Sequence, residues 1–412
     1  MIRYFNGYVL FPMLEKVAKR DIFSKYRELK RFEGLSLSEK QEIQKNELYK
    51  ILLYAKSTIP YYQDLFREHA FDIEKIKKDI HFIEDIPVLT KEIIKENGQR
   101  LVSEAAIHTR KTGGSTGQSV YFYYDNPGLD WTSAINLRAY DMAGNYLYKK
   151  DCHISSELGI EPPPLKGRFL DWLKLFSQNR RRLMISSFSD ADLEQTFKDL
   201  KSIRPYLLQG HPSSAYAIAS YIKKRNLKKR KYCDVFEPSG EMLTEKMVKT
   251  IEEYLGAKVT NRYGNAEFGV MAHSKIDDPY TRLKIFDRAF YIEKVNSSNL
   301  IVTNFTNYGM PLLRYDTGDI GTVKQEADGY YIYEIQGRIH DTVSINGEEY
   351  ATHFIMDYLD HKIRNVREFQ IIVNDSHAPK LNIVPEDDSD SDRIRVELKQ
   401  RWPHGLDVNF IK

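Results

Sequence analysis

The stretch Lys111–Ser119, KTGGSTGQS, limits what this chain can fold into more than any other. Gly113, Gly114 and Gly117 allow backbone angles that a side chain forbids. Successive N–H groups in such a loop can turn to one concave side and bind an anion. Thr112, Ser115 and Thr116 add hydroxyl donors. The segment reads as a phosphate cradle, yet not as a Walker P-loop, which ends in Gly-Lys-Ser/Thr and opens a helix. Here Gln118 follows Gly117, and SVYFYYD then alternates and is rich in strand formers. A strand–loop–strand cradle gains little from a helix dipole, so hydroxyls and N–H groups must hold the anion. A hairpin turn that binds nothing has the same local composition.

Composition narrows the class. A chain of 412 residues can bury large cores and divide into two or three domains. Its 61 basic and 58 acidic side chains leave a net charge of +3, so no bulk field points to nucleic acid. Cys152 and Cys233 are the only cysteines, which argues against a disulfide framework or a cysteine-built zinc site and fits a reducing, cytoplasmic setting. No apolar run is long enough to span a bilayer. The patch Tyr8–Leu14 lacks a small-residue cleavage site after it and reads as a helix or docking segment rather than a signal peptide.

Residues 15–56 are charged and helical, with Leu48, Ile51, Leu52 and Ala55 on one apolar face and Pro60 ending the run. Helices are also expected over 129–145, after Ser189 (capping-box spacing to Asp192), from Pro212, and from Thr244 to a stop at Gly256. Strands are expected near 151–160, before His211, over AKVTNRY, and through 281–345. Alternating strands and helices give a mixed α/β body. Beyond Gly337 the texture changes to GRIHDTVSINGEEY, followed by a helix, two strands, the acidic EDDSDSD, a helix and a last strand. This predicts a large domain over 1–337 and a small α+β domain over 338–412.

Further pieces give the cradle a context. SGEMLTE (239–245), NRYGNAEFG (261–269), LLRYDTGDIG (312–321) and IQGRIHDTVSINGEEY (335–350) follow it in order. Together these pieces resemble the adenylate-forming superfamily, and in detail the phenylacetate–CoA ligase family with its CapK-like, capsular-polysaccharide branch. LLYAKSTIPYYQDLF, IPVLTKEIIKEN and LQGHPSSAYAIASYI look like the same branch, so the resemblance covers nearly the whole chain.

The resemblance implies an adenylate-forming fold with a mobile C-terminal lid, and it implies ATP, Mg²⁺ and, as one acceptor, CoA. Thr112–Gly117 match the loop that holds the β- and γ-phosphates. Gly240 and Glu241 match the strand end beside the adenine. Tyr263, followed by Gly264, matches the tyrosine lying against the base. Glu267 matches the Mg²⁺ carboxylate. Asp319 matches the ribose-binding aspartate, where a carboxylate serves two vicinal hydroxyls. Arg338 matches the ribose-side arginine at the hinge. His153 and His211 lie in segments that approach the acyl pocket in this family. With Glu267 and Arg338, His211 is carried as a candidate catalytic residue, although each histidine taken alone reads as structural.

This sequence departs from the family pattern at several positions. Gln118 replaces a lysine, Ala266 a Ser or Thr near the α-phosphate, and His340, beside Asp341, the hinge acid. The family's terminal lysine follows a strand, and this sequence reaches Lys412 on that strand, where no replacement is expected. GVMAHSKIDDPYTRL offers only His273 where several relatives bind zinc. The implied function is ATP-dependent activation of a carboxylic or amino acid as acyl-AMP, passed to CoA or to an amine or hydroxyl of a glycan precursor. A homodimer is compatible with it. The departures support an alternative, a degenerate nucleotide-binding scaffold of the same fold.

Overall fold

Five strands run parallel through the middle of the chain in the order Arg180–Ile185, Asp151–Ser156, Leu207–Gly210, Val235–Pro238 and Lys258–Val259. In this computed structural model the described residues are 2–111, 120–145, 149–156, 165–293, 299–336, 342–351, 355, 358–359, 363–374, 377–385, 387–402 and 405–411. The first strand in sequence, Asp151–Ser156, lies between the second and the third. The connections therefore leave it in opposite directions, and ligands of such sheets sit beyond the carboxyl ends at that switch point.

One face of this sheet is apolar. Cys152, Ile154, Leu208 and Phe236 pack with Leu193, Leu200, Ile218 and Ile251 from the helices Asp190–Ile203, Pro212–Lys224 and Glu245–Leu255. Those helices begin as their sequences predict. Ser189 accepts from the Asp192 N–H, Pro212 stands in a first turn, and Thr244 accepts from the Met247 N–H. Gly256, at φ +64°, ends the third in the left-handed region that glycine tolerates.

A second sheet has seven strands, all paired antiparallel, from Phe290–Ile292 at one edge to Arg262–Asn265 at the other. The long hairpin Tyr315–Glu326 and Gly329–Gln336 lies within it. The expected single helical run over 15–56 is three helices, Phe11–Val17, Ile22–Glu33 and Leu37–Thr58. Lys19 takes a positive φ of 52°, and Ser36 with Glu39 forms a capping box that starts a new helix. The run does stop before Pro60, where Ile59 is extended. Pro60 also opens the next helix, Pro60–Glu68.

The strands His108–Lys111 and Tyr121–Tyr124 pair antiparallel, His108 opposite Tyr124 and Lys111 opposite Tyr121. The cradle therefore joins two paired strands, as its sequence predicts, while residues 112–119 themselves lie outside the described residues. Toward the C-terminus, Val366–Asn374 pairs antiparallel with His377–Pro385, and Asp407–Phe410 adds in parallel, with the helix Ser391–Arg401 between them in sequence. Leu381, Ile383, Ile394, Leu398 and Trp402 are buried there.

Candidate active site

Beyond the carboxyl end of Val235–Pro238 the chain turns through Ser239 and Gly240 into a cavity of about 470 Å³. Gly240, Glu241, Tyr263, Gly264, Glu267 and Asp319 all line it, six residues drawn from three separate motifs. Thr112, Gly113, Gly114, Ser115, Thr116, Gly117, Gln118, Gly337, Arg338, His340 and Asp341 lie outside the described residues.

Gly240 sits at φ +78°, and a Cβ there would stand 2.6 Å from His211 Cε1. Backbone and neighbour both require glycine, which lets the imidazole pack closely against the turn. Gly240→Ala is expected to lower the unfolding free energy by about 1–2 kcal/mol from backbone strain alone, and more from the ring. Urea denaturation checks this, with Gly240→Ala/His211→Ala recovering only the steric part.

The Glu241 side chain is buried, and its carboxylate meets the start of a helix. It accepts from the Ser213 N–H and the Ser213 hydroxyl, both at 3.0 Å, and lies 3.7 Å from His211 Nδ1. This caps the helix Pro212–Lys224, whose own N-cap, His211, makes no side-chain cap bond. Glu241 thus lines the cavity and fixes the helix with its side chain.

Tyr263 is buried on the edge strand, and its hydroxyl donates to Asp319 Oδ2 at 2.9 Å. Burial first, and then the Asp319 carboxylate, push the phenol well above its ordinary range, so it stays a donor. Asp319 is itself set by a turn. The Asp319 N–H donates to Thr317 Oγ1 (3.2 Å), and Gly318 N–H donates to Asp316 Oδ1 (2.8 Å).

Glu267 is buried and accepts from the Tyr315 hydroxyl at 3.1 Å. Lys91 Nζ stands 3.4 Å from the same oxygen, Oε1, and lines the cavity. The position of Lys91 is built by backbone. Leu89 N–H donates to Arg314 O and Asp316 N–H to Leu89 O, both at 2.9 Å. Arg314 donates to the Glu84 carbonyl at 2.7 Å and to the Ile86 carbonyl, and pairs with buried Glu293 at 2.8 Å. Thr90 then caps the helix Lys91–Asn97 through the Ile93 N–H.

Sequence reasoning missed Lys91. A signal was available in TKEII, because a lysine in the first turn of a helix stands at the end where the dipole disfavours a cation.

Arg262 also lines the cavity and reaches behind it, donating to Glu237 Oε1 at 3.1 Å. Glu237 is fully buried and accepts from Gln209 Nε2 at 2.7 Å and His273 Nε2 at 2.9 Å. Burial alone would raise its pKa, but His273, Arg262 and Gln209 hold the carboxyl down to about 2. The other His273 nitrogen, Nδ1, lies 2.6 Å from the Ser274 carbonyl. Both ring nitrogens are therefore engaged by protein oxygens. Among the described residues no group of three or more His, Cys, Asp or Glu could hold a metal ion.

His153 lies on the same polar face of the parallel sheet, opposite Gln209. Burial, and then Arg180, Arg262 and Arg182, push it down to about 4, so it is neutral at physiological pH.

No family model matches the chain. It is 26% identical to protein CapK of Staphylococcus aureus over 430 aligned positions, covering 99% of this chain and 94% of that protein. Along nearly its whole length the chain is thus similar to this CapK-like branch of the adenylate-forming superfamily. To phenylacetate–coenzyme A ligase of Thermus thermophilus it is 23% identical, over 72% of this chain and 68% of that enzyme. The adenylate-forming fold is shared with 2-hydroxyisobutyryl-CoA ligase in complex with 2-HIB-AMP and CoA. There the TM-score is 0.60 at 17% identity, over 92% of this chain and 88% of that one. The departures Gln118 and His340 fall outside the described residues, whereas Ala266 lines the cavity.

Proposed function

We propose that this chain uses ATP to activate a carboxylic acid as an acyl adenylate and passes the acyl group to an amine or hydroxyl of a cell-surface glycan precursor, with CoA as the competing acceptor. The observation that carries the first half is the convergence of Tyr263, Asp319, Glu267 and Lys91 on one cavity. The similarity to CapK along nearly the whole chain supports the second half.

In this reading the acid's carboxylate oxygen attacks the α-phosphorus and the bond to the pyrophosphate oxygen breaks. The protein orients the groups and neutralises charge. The Tyr263 ring forms the wall for the adenine. An ionised carboxylate has about four acceptor sites, so Asp319 can keep Tyr263 and still accept from ribose hydroxyls. Glu267 fits Mg²⁺ by the same count. It can keep Tyr315 and bind an ion that draws its remaining ligands from phosphate and water, as Mg²⁺ commonly does. When bound, Mg²⁺ would offset charge on the leaving pyrophosphate. Lys91 supplies a fixed cation at the same place. Thr112–Gly117 would hold the β- and γ-phosphates, and Arg338 the ribose side. The small domain, 338–412, would turn about Arg338–Asp341 to admit the acceptor, with Gly337 absorbing the backbone change.

The test is ATP–pyrophosphate exchange across a panel of aryl, short-chain and amino acids, followed by trapping with CoA or with amine and sugar acceptors. Acid-dependent exchange with at least one acid is expected. ATP binding without exchange for any acid would leave the scaffold alternative, and no ATP binding at all would refute the reading of the cavity.

A further inference from the structure

Outside the residues that line the cavity, two helical segments carry a face that does not suit water. Among the described residues fifteen large hydrophobic side chains are exposed, and eight of them belong to the segment from Ile2 to Val17 and the helix Leu165–Ser177. On the first, Phe5, Val9, Met13 and Val17 recur every four residues and Tyr4 and Tyr8 stand beside them. Tyr8 is 62% and Val17 76% exposed. The inward side carries Asn6, Gly7 and Leu10. On the second, Phe169 is 60% and Trp172 54% exposed. Trp172 stacks between Phe169 and Phe176 at centroid distances of 6.0 and 5.3 Å. The two segments meet, since Asn6 Nδ2 donates to the Phe176 carbonyl. Exposed apolar side chains gathered this way mark a docking surface.

Charge says what docks there. Residues 1–20 hold four basic and one acidic side chain, and residues 165–182 six and one, which makes +8 in a chain of +3 and leaves −5 elsewhere. Arg20 and Arg180 are spent on Asp130 and Asp151, and counting those two acids with the region still gives +6 against −3. Lys16, Lys19, Lys174 and Arg181 are exposed. Both acids of the region are turned to donors of the protein. Glu15 accepts from the Phe23 N–H at 2.7 Å, and Asp171 pairs with Arg182 at 2.9 Å. Aromatic and aliphatic side chains on one side with cations beside them make the pattern that lies in a lipid headgroup layer. No described helix is long and apolar enough to cross a membrane.

We propose that this face docks on an anionic bilayer surface. The apolar column enters the headgroup boundary and the lysines meet lipid phosphates, which holds the enzyme at a membrane without spanning it.

The test uses the full chain in flotation with phosphatidylglycerol/phosphatidylcholine vesicles and with phosphatidylcholine vesicles alone. Flotation is expected only with the anionic vesicles and falls as salt rises. Trp131 and Trp402 are buried, so a blue shift of tryptophan emission on binding reports Trp172. Each of Lys16→Gln and Lys19→Gln is expected to weaken partitioning by roughly fivefold. Phe5→Ser/Val9→Ser is expected to abolish the shift while leaving pyrophosphate exchange unchanged. The proposal is overturned by absent flotation, by equal flotation on neutral vesicles, or by wild-type partitioning of these variants. It is also overturned if the same serine variants instead break a dimer in a chain that binds no vesicles.

Discussion

Replacing Lys91 by methionine is expected to lower acid-dependent pyrophosphate exchange by about 10²–10³-fold, the usual cost of removing one preorganised group that meets charge in a transition state. The loss should fall mainly on kcat, because a cation placed for the leaving pyrophosphate acts more on the transition state than on bound ATP. Stability should move by less than about 1 kcal/mol, since Lys91 is partly exposed and Glu267 keeps the Tyr315 hydroxyl. Lys91→Arg, which preserves charge on a different shape, is expected to rescue part of the rate. A Lys91→Met enzyme that turns over within a few-fold of wild type would show that the 3.4 Å contact with Glu267 is only an ion pair.

The second large effect is on stability. Glu237→Gln keeps the shape of a fully buried side chain but removes the charge that faces Arg262 and His273. Breaking a buried pair on one side costs about 3–5 kcal/mol, because the partner stays buried without compensation. The pH dependence has a definite sign. The folded carboxyl titrates at about 2, below its ordinary 4.5, so the unfolded chain binds the proton more readily. Its stabilisation is fully present above about pH 4.5 and is lost as pH falls through 2. Urea denaturation from neutral to acid pH should show this loss in the wild type and a flatter acid limb in Glu237→Gln. Equal slopes would mean that other carboxylates govern acid unfolding.

Some of this architecture was legible in the sequence for local reasons. Ser189, Thr244 and Gly256 act within one turn of themselves, so their spacing announces helix ends. SVYFYYD alternates, and its strand is found at Tyr121–Tyr124. Residues of the site were legible through motifs, and the fold brings Gly240, Tyr263, Glu267 and Asp319 to one cavity. Other features were not legible, because they depend on pairings between distant parts of the chain. Glu237 looks like any solvated glutamate until Gln209, Arg262 and His273 are seen around it. The Glu241 motif marks a cavity wall, while its carboxylate serves a helix that starts at Pro212. Lys91 meets Glu267 only because Leu89 pairs with the strand that begins at Tyr315.

That pairing also bears on how the protein comes to work. The bridge of Leu89 to Tyr315 closes a very long loop, whereas the helices on either side form from neighbours. Contacts of such sequence separation are costly to make early, because loop entropy is lost before anything is gained. Lys91 and Glu267 are therefore expected to meet late in folding. Refolding chains would regain helix content before they regain chemistry. In this protein activity is a stricter gauge of the finished fold than any spectrum of its secondary structure.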